Sequence, residues 1–147
     1  MCAGAKAILD LPKTLETLET LGVPVVGYGT DEFPAFWSRR SGLAAPLRLD
    51  TPQAIAALVN ARRALALDGG VLVGNPIPLS DEIAANEINP AIEAAIDEAD
   101  ALGISGKALT PFLLSRMLEL TQGRSLTANV ALVENNARLA ARIAAAL

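Results

Sequence analysis

The sequence predicts a layered α/β/α fold, with short strands in its first half and mostly helix in its second, forming a single α/β region over residues 1–147. Three observations carry this. Short apolar runs at Val23 to Tyr28, Leu47 to Leu49 and Val71 to Val73 alternate with segments of helical periodicity. Those segments repeatedly open with a cap residue followed by proline. Finally, 147 residues that are 52% hydrophobic but only 3% aromatic supply one core of Ala, Leu, Val and Ile, whose small side chains let helices approach closely.

The first helix follows Asp10, with Leu11, Leu15, Leu18 and Leu21 at helical spacing, Pro12 in the first turn and Gly22 at the C-cap. Val23 to Tyr28 reads as a buried strand. The stretch from Gly29 to Gly42 holds three of the five aromatics and reads as a packed loop. Leu47 to Leu49 is a brief strand. Thr51-Pro52 then opens a helix to about Leu67, with Ile55, Leu58, Val59 and Leu65 as its apolar stripe. Val71 to Val73 is a strand bounded by glycines, and Asn75-Pro76-Ile77-Pro78 follows at its carboxyl end, where α/β folds place ligands. Asn89-Pro90 and Thr110-Pro111 predict two more helices, to about Leu102 and Leu120, each with an N-cap residue before proline. The last helix runs from Ser125 to the C-terminus.

Composition excludes several functions. Twelve basic against 16 acidic residues give a net charge of −4, opposite to what nucleic acid attracts. With no histidine and one cysteine, Cys2, a zinc site of the usual ligands, a Ser-His-Asp triad and a disulfide framework lack their parts. Mean hydropathy is +0.38, yet no run reaches the roughly 18 apolar residues of a membrane span. No signal peptide is read at the N-terminus, so the expected location is cytoplasmic, with no membrane partner.

Lys6 is the most unusual charged residue, because its neighbours from Cys2 to Leu9 are all small or apolar. Desolvation would favour the neutral amine and attack on a carbonyl to form an imine. A stem lying on apolar surface with its ammonium in water fits the same pattern. Asn129 shares a helical stripe with Leu126 and Val133, which predicts an amide turned toward the core; its partner is either a ligand or neighbouring backbone. Asn136 lies one heptad later, where helix packing is the better explanation. Asn75 and Thr110 both precede proline and fit ordinary turn or cap roles. Asp31-Glu32 is a carboxylate pair whose adjacent side chains diverge, and Arg39-Arg40 is either a phosphate grip or a solvated pair.

Cys2-Ala3-Gly4-Ala5-Lys6-Ala7-Ile8-Leu9-Asp10-Leu11-Pro12, the segment from Thr14 to Tyr28, Thr30-Asp31-Glu32-Phe33-Pro34-Ala35-Phe36, Asn75-Pro76-Ile77-Pro78, Thr110-Pro111-Phe112-Leu113-Leu114 and the segment from Ala128 to Ala137 together resemble the carboxyl-terminal half of the pseudouridine-5'-phosphate glycosidase family, also called indigoidine synthase A-like. The resemblance covers essentially the whole chain. It implies reversible cleavage of the C–C glycosidic bond of pseudouridine 5'-phosphate to ribose 5-phosphate and uracil. Lys6 would be the imine-forming nucleophile and Asn129 an active-site residue orienting the sugar or the imine. Thr30, Asn75 and Thr110, each inside a matching motif, would contact substrate. A homotrimer is the assembly the resemblance implies.

The family's enzyme is about twice this length, and its upstream half supplies a general-acid glutamate, a phosphate-binding lysine and the aspartates that hold manganese and substrate. None of those positions lies in this sequence, so no metal ligand is expected here. The chain reads as a partial domain of a larger fold, a truncated form or gene fragment expected to be inactive alone. A second reading, from another class, is a non-catalytic oligomerisation or regulatory module that keeps the fold.

Overall fold

The computed structural model describes residues 1–5 and 10–147. Its centre is a parallel sheet of three short strands, β1 (Val25–Tyr28), β2 (Leu47–Leu49) and β3 (Leu72–Gly74), in the order β2-β1-β3. Val26 pairs with Leu47 on one side and with Val73 on the other. Val25 and Val26 are both buried, as expected for a central parallel strand covered on both faces. Outside β3, Cys2 forms a further parallel bridge to Gly74: its N–H donates to the Val73 carbonyl at 3.0 Å, and its own carbonyl accepts from Asn75 N–H at 2.8 Å.

Two of the five helices among the described residues start as the sequence predicts. In α1 (Leu11–Thr20), the Asp10 carboxylate accepts from Lys13 N–H at 3.0 Å. In α2 (Pro52–Ala64), the Thr51 hydroxyl accepts from Ala54 N–H at 3.1 Å. α2 stops three residues short of Leu67, and Leu65 falls at its C-cap, 70% exposed, so the predicted stripe reduces to Ile55, Leu58 and Val59.

The next two starts differ from expectation. α3 (Ala85–Ala101) begins four residues before Asn89 and carries Pro90 inside it. Burial decides this: Ile88, Ile92, Ala95 and Ala99 form one continuous buried face, and hydrophobic gain along that face outweighs the backbone hydrogen bond Pro90 cannot donate. α4 (Leu109–Leu120) grows from a single 3₁₀ turn, Gly106–Ala108, so Thr110 is its second residue and not its cap. α5 (Arg124–Ala146) follows Gly123, whose φ of +87° turns the chain out of α4.

The core has two parts. α2 and the C-terminal half of α5 cover the sheet through Ile55, Leu139 and Ile143 against Val26 and Val73. A larger cluster joins α3, α4 and the N-terminal half of α5 with Ala3, Trp37 and Ile77 from the segments around the sheet's carboxyl edge. No described helix is long and apolar enough to cross a membrane.

Candidate active site

Parallel strands deliver three segments to one edge of the sheet: Gly29-Thr30 after β1, Asn75-Pro76 after β3, and Ala3-Gly4-Ala5 after the Cys2 bridge. In an open α/β sheet, ligands bind outside these carboxyl ends, where the strand order reverses. Here β1 sends the chain toward β2 and β3 lies on its other side. A cleft of about 270 Å³ opens at that point, lined among others by Thr30, Asp31, Arg40, Arg48 and Pro76.

Most polar groups around this cleft are already committed. The Thr30 hydroxyl donates to the Glu32 carbonyl at 3.1 Å and accepts from Glu32 N–H at 3.2 Å, a local turn. Glu32 accepts from Gly42 N–H at 3.0 Å. Arg48 bridges Asp50 and Asp31 at 2.8 and 2.7 Å, and these hydrogen bonds hold its guanidinium above the usual arginine range. Asp31-Glu32 therefore serves the loop frame. Arg39 also serves it: its side chain donates to the Ile77 carbonyl and its N–H to Glu82 at 2.8 Å. Arg40 is exposed and lines the cleft.

Asn75 is 4% exposed, and its amide N–H donates to Asn136 Oδ1 at 3.1 Å, while Asn135 donates to the Pro76 carbonyl at 3.1 Å. These two bonds tie the strand-end turn to α5. Asn136 thus holds the strand-end turn after β3, where its position on the helical stripe suggests helix packing.

Lys6 lies outside the described residues, but the segment leading to it is fixed. Gly4 has φ +91°, and a Cβ there would overlap the Pro34 carbonyl, so only glycine fits. Phe36 N–H donates to the Ala3 carbonyl at 2.9 Å from a left-handed backbone, φ +65°, a costly conformation for an aromatic residue. Next along the loop, Trp37 is 1% exposed, and its indole N–H donates to the Ser125 carbonyl at 3.0 Å, one turn before Asn129.

Asn129 is half-buried in a second cleft of about 270 Å³, with Trp37, Leu114, Leu118 and Leu126. Its stripe differs from expectation. Leu126 and Val133 face outward, 54% and 57% exposed, whereas Ser125, Ala128 and Leu132 point inward. Thr110 is half-buried at the start of α4, one helical turn from Leu114 of the Asn129 cleft. Thr30 and Asn75 thus gather at the sheet edge, and Asn129 and Thr110 belong to the α4–α5 layer. Trp37 and Phe36 connect the two places. Sequence reading missed that seam, although a lone tryptophan in an aromatic-rich loop was its visible sign.

Among the described residues, no group of three or more His, Cys, Asp or Glu could hold a metal ion, so the manganese implied by resemblance has no ligand set in them.

The family model described as Indigoidine synthase A like protein matches residues 1–146. The chain belongs to this family. It is 69% identical over all 147 residues to a protein of Methylobacterium nodulans named pseudouridine-5'-phosphate glycosidase, covering 44% of that relative. It is 67% identical to one of the same name from Paracoccus denitrificans, covering 48% of it. Among solved structures, the prealnumycin C-glycosynthase AlnA in complex with ribulose 5-phosphate superposes with a TM-score of 0.90 at 35% identity, over 99% of this chain and 48% of that one. An indigoidine synthase A-like protein from Thermotoga maritima gives 0.86 at 40% identity, over 97% and 47%. The chain spans about half the length of the curated relatives it matches.

Proposed function

We propose that this chain is the nucleophile-bearing half of a pseudouridine-5'-phosphate glycosidase, with Lys6 forming an imine at C1′ of the sugar. In cleavage, the Lys6 amine bonds to C1′ as the C1′–O4′ bond opens and O4′ takes a proton; the nitrogen lone pair then expels uracil by breaking the C1′–C5 bond, and uracil leaves with a proton at C5. The sugar remains as an imine on Lys6, which water hydrolyses to ribose 5-phosphate and free amine. A nitrogen at C1′ is what the reaction needs, because carbon is a poor leaving group and a protonated imine accommodates the electron demand.

The observation that carries this reading is the Phe36-Trp37 seam: one residue holds the Ala3 carbonyl of the lysine motif and the next holds the turn of α5 that bears Asn129. Asn129 orients the sugar or the imine. Thr30, Asn75 and Thr110 support substrate, Asn75 by holding its turn through Asn136. The chain alone is inactive, and the assembly is a cytoplasmic homotrimer of complete protomers.

The test is trapping. Ribose 5-phosphate and borohydride should attach one sugar to Lys6 and none to Lys13 or Lys107, with labelling increased when the remaining half of the M. nodulans relative is supplied in trans. Lys6→Arg should abolish the adduct with little change in fold, since a guanidinium keeps the charge but is not a nucleophile. An adduct that survives Lys6→Arg, or spreads over the three lysines with that half present, rejects the assignment.

A further inference from the structure

Helix α5 has two apolar stripes, and the described residues cover only one. Ala128, Leu132, Leu139 and Ile143 are buried, while Leu126, Val130 and Val133, at i, i+4 and i+7, are each more than half exposed. A helix apolar on two faces belongs between two layers. Leu118 of α4 is also exposed beside this stripe. Grooves flank it on either side: the Asn129 cleft, and one of about 470 Å³ lined by Asp81, Thr127 and Glu134 beside Leu126 and Val130.

The total surface agrees. The chain exposes 8267 Å², whereas a compact monomer of 15.2 kDa exposes about 7,100 Å². The excess, on the order of 1,000 Å², is what one partner contributes to a stable interface, about 800 Å².

We infer that this α4–α5 face is the seat of the polypeptide forming the remaining half of the relatives' chains. Those relatives carry over half their length outside the region matched here, enough for a second layer. In them the two halves share one chain, so effective concentration favours that occupant over a second copy of this one. Ser115 sits in the groove and provides a polar point in an otherwise apolar contact. The inference concerns docking and does not depend on the reaction proposed above.

Co-expression with the remaining half of the M. nodulans relative, followed by light scattering, tests it. A heteromer is expected. Val130→Asp and, independently, Leu126→Asp should each weaken it about thirtyfold or more. Leu65→Glu, on the exposed end of α2, should leave it unchanged. Both positions under test are more than half exposed, and circular dichroism of each variant checks the fold. A heteromer indifferent to both aspartates, no heteromer, or a homo-oligomer of this chain that these variants dissociate would each overturn the inference. A heteromer that forms through this face but leaves Lys6 unlabelled would reject the proposed chemistry and leave the docking intact.

Discussion

The two places that carry the family's motif residues are built in opposite ways. At the sheet edge, Thr30, Glu32, Asn75 and Arg39 are all hydrogen-bonded within the chain, and Asn75 is nearly inaccessible. On α5, Asn129 looks into a cleft walled by Leu114, Leu118 and Leu126, with Val130 and Val133 open to solvent beyond it. The sheet edge is complete as a frame, because short loops can satisfy their own polar groups by turns and side-chain caps. An apolar helix face has no such recourse and needs another layer. Of the two places, the sheet edge is therefore preorganised within this chain, and the α5 face presents an apolar surface open to solvent.

The largest expected effect lies where the two regions meet. Trp37 is fully buried in the same cluster as Ala3, Ala128 and Leu132, and its indole N–H is held by Ser125. Trp37→Ala should destabilise the chain by about 3 to 5 kcal/mol, read as a shift in the urea midpoint. If the sheet region and the helical layer were independent units, the variant would instead split one transition into two, and the seam would have to be sought elsewhere.

Local chemistry made much of this legible in the sequence. Asp10 and Thr51 announce α1 and α2 because each side chain caps a backbone N–H three residues on. Leu47 to Leu49 and Val71 to Val73 announce strands because glycine or loop residues bound them. The misreadings arose where distant burial overrode a local signal. Asn89-Pro90 looks like a helix start, but Ile88 lies before it on the buried face and carries the helix back to Ala85. For the site, the strand-end position of Asn75 was readable from the pattern Gly-Asn-Pro, whereas its partner Asn136, 61 residues away, was not. The outward turn of Asn129 was hidden for a related reason: periodicity shows that Leu126, Asn129 and Val133 share a stripe, but not which of two apolar stripes meets the core.

An intermediate effect tests how complete the sheet edge is. Asn136→Ala removes the acceptor of the Asn75 amide, in a residue only 4% exposed, so that N–H loses this partner in a largely buried place. The expected cost is about 1 to 3 kcal/mol. Asn75→Ala leaves the half-buried Asn136 free to find water and should cost less. The double variant should fall short of the sum by about 1 kcal/mol. Additive single effects would mean that the turn is held by the bond from Asn135 to the Pro76 carbonyl alone.

The smallest expected effect sharpens the contrast from the other side. In the isolated chain, Val130→Asp should change stability by less than about 0.5 kcal/mol, because a side chain 53% exposed loses little burial and the new carboxylate is solvated. Two residues along the same helix, Leu132 is 3% exposed, and Leu132→Ala should cost about 2 to 5 kcal/mol. Urea titrations of the two variants side by side make each the control for the other, since both lie in one α-helix and differ chiefly in the face they occupy. A Val130→Asp cost near that of Leu132→Ala would mean that the outer stripe is already packed within this chain, and the distinction between a closed sheet edge and an open helical face would fail. A negligible cost alone, with a large loss once the complementary half is bound, would show that the stripe's apolar character serves association and contributes nothing to the fold of this chain.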